Sequence, residues 1–122
     1  MTRANINYVY QIVGEAPKTL FLYHNGDQYP SGMRDCFNVL DLVKETITPN
    51  RFKKWLKENY VKEHGDKLKD LGEGGQPKIY YTNGFITDYS YVFEDDEVSV
   101  WNYKELIFEG NREKFINWIK KQ

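Results

Sequence analysis

Apolar side chains recur along this chain with two different periods. Ile6, Tyr8, Tyr10 and Ile12 alternate with Asn7, Val9 and Gln11, which is the period-2 signature of a strand with one buried face. Gly14-Glu15-Ala16-Pro17 breaks the alternation. A second strand follows from Thr19 to His24, nearly continuous in apolar and aromatic residues, and the Gly/Pro turn predicts that the two pair as a hairpin. Beyond Gly32 the period changes. Met33, Cys36, Phe37, Leu40 and Val43 follow helical spacing and predict one helix. A second helix has a clear start, with Thr48 placed to cap free amides and Pro49 suited to the first helical position. Phe52, Trp55, Leu56 and Tyr60 form its apolar stripe, with lysines opposite and Gly65 or Gly72 as its end.

Leu71-Gly72-Glu73-Gly74-Gly75-Gln76-Pro77 reads as a flexible loop by composition. Sheet follows it. Lys78 to Thr82 runs into Asn83-Gly84, a strong hairpin-turn signal because both residues tolerate positive φ. Tyr89, Tyr91 and Phe93 alternate with Ser90 and Val92, Asp95-Asp96 turns the chain, and Val98 and Val100 alternate with Ser99 and Trp101. Leu106, Ile107 and Phe108 make a last short strand, and Gly110-Asn111 opens a terminal helix with Phe115, Ile116 and Ile119 on one face. Residues 1–122 therefore read as a single α+β domain in the order β-β-α-α-β-β-β-β-α. The expected architecture is an antiparallel sheet with about three helices packed on one face.

Composition narrows the classes of function. A chain of 122 residues with 40% apolar content holds one core of ordinary size. No window approaches the ~20 apolar residues of a spanning helix, and Met1 to Asn7 lacks the apolar stretch of a secretory signal. A cytoplasmic setting with no membrane partner is expected. One cysteine, Cys36, excludes an internal disulfide framework and a cysteine-based zinc site, and two histidines, His24 and His64, exclude a histidine-rich cage. No metal or other cofactor is expected. A net charge of −1 argues against nucleic acid as a partner. The charge is uneven, however: seven basic against three acidic residues across 50–69 give +4, and one against seven across 84–109 gives −6. Ten Tyr, seven Phe and three Trp, 16% of the chain, exceed what paving a small sheet needs, which leaves room for an aromatic cleft or a homo-oligomer interface.

The polar segment 24–35 is the leading candidate site. It offers His24, Asn25, Asp27, Tyr29, Ser31, Arg34 and Asp35 at a strand-to-helix junction, where helix-start amides favour an anion. The same residues have routine roles there: Asn25-Gly26-Asp27 as a turn, Tyr29-Pro30 to fix direction and Ser31 to cap the helix. A Cys36–His24 nucleophile pair is conceivable by residue type, but Cys36 falls on its helix's apolar stripe and reads as a buried thiol. Asp27 and Asp35 with Glu63 or Asp66 could hold a hard cation, though their spacing matches no metal loop. Gly72-Glu73-Gly74-Gly75 lacks the lysine and hydroxyl of a P-loop and precedes a strand. His64 before Gly65 suits a helix C-terminus.

Two stretches carry a family resemblance. Phe21-Leu22-Tyr23-His24-Asn25-Gly26-Asp27-Gln28-Tyr29-Pro30-Ser31-Gly32-Met33 resembles a pattern in small proteins of phages and other mobile elements. There, a strand ends in histidine, then comes an aspartate-glycine-tyrosine-proline turn, then a helix. Tyr89-Ser90-Tyr91-Val92-Phe93, Val98-Ser99-Val100 and Ile107-Phe108-Glu109-Gly110, followed by Phe115, are similar too. This chain has Asn25-Gly26-Asp27-Gln28 where the pattern has an aromatic residue and Asp-Gly. The resemblance spans most of 20–118 and implies an accessory protein of mobile DNA. The family brings no established activity and assigns no catalytic residue.

The expected function is that of a small non-enzymatic accessory or binding protein. It would engage a protein or small-molecule ligand through His24, Asp27, Tyr29 and Arg34, or through its aromatic sheet around Tyr89, Tyr91, Trp101 and Tyr103. The rival is a small enzyme acting on a phosphorylated substrate, with His24 as acid/base and Arg34 steadying the anion.

Overall fold

The computed structural model describes residues 2–61 and 70–122. Strand β1 (Arg3–Tyr10) and strand β2 (Lys18–Asn25) form the expected hairpin, with Ile6 opposite Leu22. Three short helices follow: α1 (Pro30–Asp35), α2 (Val39–Val43) and α3 (Pro49–Leu56), the last continued by a π-helical turn over Lys57–Val61. Then come β3 (Gly72–Gly74), β4 (Tyr81–Thr82), β5 (Phe85–Ile86), β6 (Tyr89–Glu94), β7 (Glu97–Asn102), β8 (Glu105–Asn111) and α4 (Arg112–Lys120). Six strands make one sheet in the order β3-β2-β1-β6-β7-β8, and β4 and β5 make a separate hairpin. The fold is α+β.

The sheet is not wholly antiparallel: β1 and β6 run parallel, with Ile6 opposite Tyr91 and Tyr8 opposite Phe93. Alternation along a strand marks which face is buried and carries no information about the direction of a neighbour. The geometry comes from the excursion 26–88, which leaves β2 and returns to β6 at the same end of the sheet. The Gly26 amide donates to the Thr2 carbonyl at 2.7 Å and the Asp88 amide to the Arg3 carbonyl at 2.9 Å, so both ends of the excursion are tied to the start of β1.

One sheet face carries the helices. Ala4, Ile6 and Tyr8, with Leu20, Leu22, Tyr91, Phe93, Val98 and Val100, pack against Met33, Phe37, Leu42, Phe52, Trp55, Leu56, Phe115 and Ile119. Thr48 caps α3 as expected, its Oγ1 accepting from the Arg51 amide at 3.2 Å with Pro49 in the first turn. Asn111 caps α4 through Lys114. The first predicted helix is two, because Asn38 adopts a left-handed conformation (φ 51°) between α1 and α2. Trp55 compensates for the break: its buried Nε1 donates to the Phe37 carbonyl at 2.9 Å and the Asn38 carbonyl at 3.1 Å. The break also turns Cys36 outward, so the thiol is exposed rather than buried. Ser31 lies inside α1, and Tyr29 takes the cap position.

The other face of β1 is buried as well, which corrects the expectation of one buried face. Asn5 and Asn7 have no solvent exposure. Asn7 treats Lys78 as a neighbouring strand would, its Oδ1 accepting from the Lys78 amide at 2.7 Å and its Nδ2 donating to the Lys78 carbonyl at 3.0 Å. Asn5 donates to Thr87 Oγ1 at 3.1 Å and accepts from Thr82 Oγ1. The β4–β5 hairpin is thereby pinned over β1, turning at Asn83-Gly84 with φ of 48° and 87° as the sequence predicts. Residues 72–74, expected to lie in a loop, form a strand on the edge of β2. Phe21 explains it, lying so close over Gly72 that a Cβ there would strike its ring. Ile12, expected in β1, lies beyond its end and is exposed. Among the described residues no helix is long and apolar enough to cross a membrane.

Candidate functional site

The structure separates the four residues of the 24–35 segment. His24, on the helix-facing side of β2 with Leu20 and Leu22, is only 3% exposed. Its ring meets Phe37 and Tyr60 edge-on, with centroids 5.3 and 5.0 Å away. Its Nδ1 lies 3.0 Å from Nε2 of Gln28. That amide nitrogen also donates to the Gly26 carbonyl at 2.8 Å, so it acts as a donor and His24 Nδ1 must accept.

Arg34 is engaged elsewhere. It chelates Asp35 at 2.8 and 3.0 Å and donates to the carbonyls of Ile119, Lys120 and Gln122, closing the C-terminal end of α4. Its pairing holds the Asp35 carboxyl below the usual range. Asp27 is exposed, in a left-handed turn at φ 54°, and its carbonyl sits so close to Gly32 that no Cβ fits there. Tyr29 is exposed at the start of α1. Glu63, His64, Gly65 and Asp66 lie outside the described residues, and no group of metal-ligating side chains occurs among those described.

Gln28, not singled out in the sequence, is the hub of this segment. It is fully buried, accepts from Tyr60 Oη at 3.2 Å through its side chain and from Tyr91 Oη at 2.6 Å through its backbone carbonyl. Burial pushes both phenols well above their ordinary pKa. The only sequence signal was a glutamine between a glycine turn and a Tyr-Pro, which reads as surface.

A cleft of about 490 Å³ opens where the β4–β5 hairpin stands over the end of β2. Its described lining is Phe21, Tyr23, His24 and Asn25 of β2, Thr82, Asn83 and Phe85 of the hairpin, and Asp70 ahead of β3. Of the four predicted residues, only His24 reaches it. Strand parity aims Phe21, Tyr23 and Asn25 toward the face opposite the helices. Tyr23 and Phe85 stack with ring centroids 5.6 Å apart, and Phe85 is half exposed. Asn25 Oδ1 is buried without a hydrogen-bond partner, a cost native structures rarely carry without a reason. Aromatic residues spaced two apart at 21 and 23 were visible in the sequence, but their meeting with Phe85 depends on where the Asn83-Gly84 hairpin docks.

No protein-family model matches the chain, and no similar curated protein or solved structure was found.

Proposed function

We propose that this chain is a non-enzymatic binding protein and that the cleft between β2 and the β4–β5 hairpin is its ligand site. The observation that carries this reading is the buried, unpartnered Asn25 Oδ1 in an aromatic-walled cavity. Ligand sites combine apolar walls with a few fixed polar groups, and this cleft has both. The rival reading, catalysis on a phosphorylated substrate, is poorly supported. His24 Nδ1 and the Arg34 guanidinium are committed to internal partners, and the described lining contains no lysine or arginine. An accessory role in a phage or other mobile element is the setting the sequence resemblance implies, and only that resemblance supports it.

The test is a fragment screen on isotopically labelled protein, read by NMR, with Phe85→Ala as the comparison. Phe85 is half exposed, so its truncation leaves the fold intact while removing a wall of the cleft. Fragments should cluster by their shifts at Phe21, Tyr23, Asn25 and Thr82, and weaken in the variant. Hits scattered over the surface, or clustered around Asp27 and Tyr29, would overturn the assignment.

A further inference from the structure

The chemistry of the lining selects among ligands. Among the described lining residues, the buried Asn25 Oδ1 has no donor and the exposed Asp70 carboxylate makes no ion pair. Thr82 spends its hydroxyl proton on Asn5. The walls are three rings, Phe21, Tyr23 and Phe85, whose faces are electron-rich. Cations of the chain itself already settle on two of them. Lys78 Nζ lies 5.3 Å from the Phe21 centroid and the Arg3 guanidinium carbon 5.7 Å from that of Phe85. Rings, a carboxylate and a lone carbonyl oxygen together complement one kind of group, a cation that also carries N–H donors.

We propose, resting on the reading of the cleft as a ligand site, that it recognises a guanidinium or primary ammonium head group. That head group belongs either to a free organic cation or to an arginine or lysine side chain of a peptide. The cation lies against the Tyr23–Phe85 face, one N–H satisfies Asn25 Oδ1, and Asp70 balances the charge. A neutral ligand leaves Asp70 unanswered, and an anionic one is repelled by it.

The test titrates labelled protein with butylguanidinium, butylammonium, neutral butylurea, butyrate and the capped tripeptide acetyl-Gly-Arg-Gly-amide. The two cations should shift the resonances of Tyr23, Asn25 and Phe85, with butylurea about tenfold or more weaker and butyrate silent. Asp70→Asn should weaken the cations by about tenfold and leave butylurea unchanged. Tighter binding of the tripeptide than of butylguanidinium identifies a peptide as the source, and the reverse a free cation. Equal binding of butylurea and butylguanidinium, or no effect of Asp70→Asn, overturns the cation preference while leaving the cleft a ligand site. Silence of every probe at the cleft also overturns the proposal, and the fragment screen then decides separately whether the cleft binds anything.

Discussion

At the scale of single residues, position relative to the core decides whether a polar side chain is available for function. Gln28 and Asp27 are neighbours of similar polarity. One is a buried hub with three side-chain contacts to His24, Gly26 and Tyr60, and the other is exposed in a turn. Nothing in composition or spacing distinguishes them, because burial of a lone polar residue follows from the tertiary neighbours that satisfy it. The same holds for arginine. Three of the four arginines close helix ends: Arg34 at α4, and Arg51 and Arg112 at the carbonyls that end α2. The guanidinium fork suits that task, since it can donate to several carbonyls at once. If Gln28 is the hub, Gln28→Leu keeps the volume but removes the donor to His24 Nδ1 and to the Gly26 carbonyl and leaves Tyr60 Oη only the weak Met33 sulfur acceptor. Each stranded group costs about 1–3 kcal/mol, so the loss should be about 3 kcal/mol in urea melts with an unchanged m-value. A loss below about 1 kcal/mol would mean that those groups find other partners.

At the scale of elements, the strands and caps that rest on local chemistry were legible, and those that rest on contact were not. Thr48-Pro49, Asn111 and Asn83-Gly84 announce their roles because a cap or a turn is decided within four residues. Strand β3 did not, because Gly-Glu-Gly has no strand preference of its own and depends on Phe21 covering its glycines. The Asp95-Asp96 tip, read only as a turn, proves to be a junction of elements. Asp96 Oδ1 accepts from Arg112 at 2.6 Å and from Thr46 at 2.9 Å, joining the β6–β7 turn to α4 and to the segment before α3. These bonds hold its carboxyl below the ordinary value of 3.8. The unfolded chain therefore binds a proton more readily than the folded one in mildly acid solution. The stabilisation is complete above the ordinary value and is lost as pH falls through the depressed one. Asp96→Asn should accordingly be less stable than the wild type near neutral pH, with the gap closing on acidification. Asp35, depressed in the same way by Arg34, leaves the variant some acid sensitivity of its own. A gap of constant size from neutral to acid pH would show that Asp96 acts by packing and not through its charge.

At the scale of the molecule, β1 organises everything else: β2 lies antiparallel on one side, β6 parallel on the other, helices cover one face and the 75–88 segment the other. The sequence allowed the α+β class and the helix-covered face to be read, since these follow from periodicity. It did not allow the order of strands or the second cover to be read. Both depend on pairings between residues some seventy to eighty-five positions apart, such as Asn7 with Lys78 and Arg3 with Asp88. The two buried asparagines in β1 are what remained visible of that cover. Asn7 read as part of the polar face of a strand with one buried face, and both asparagines are docking points of the segment that roofs the cleft. This makes fold and site separable by experiment. Asn7→Ala removes the bonds to the Lys78 amide and carbonyl and to the Tyr91 carbonyl, leaving the helix-side core untouched. With buried backbone groups stranded, the expected loss is about 2–4 kcal/mol. Because the hairpin is held from below, the opening should also be local. The Thr87 amide, bonded to the Tyr80 carbonyl at 2.7 Å, should exchange faster by more than the global loss explains, while the amides of β6 and β7 track global stability. Ligands of the cleft should weaken in parallel, since Thr82, Asn83 and Phe85 are then no longer fixed over β2. If Asn7→Ala costs under about 0.5 kcal/mol and Thr87 exchange is unchanged, the hairpin is anchored by Asn5 and by its aromatic contacts with Tyr23 and Arg3, and Asn7 is not its docking point.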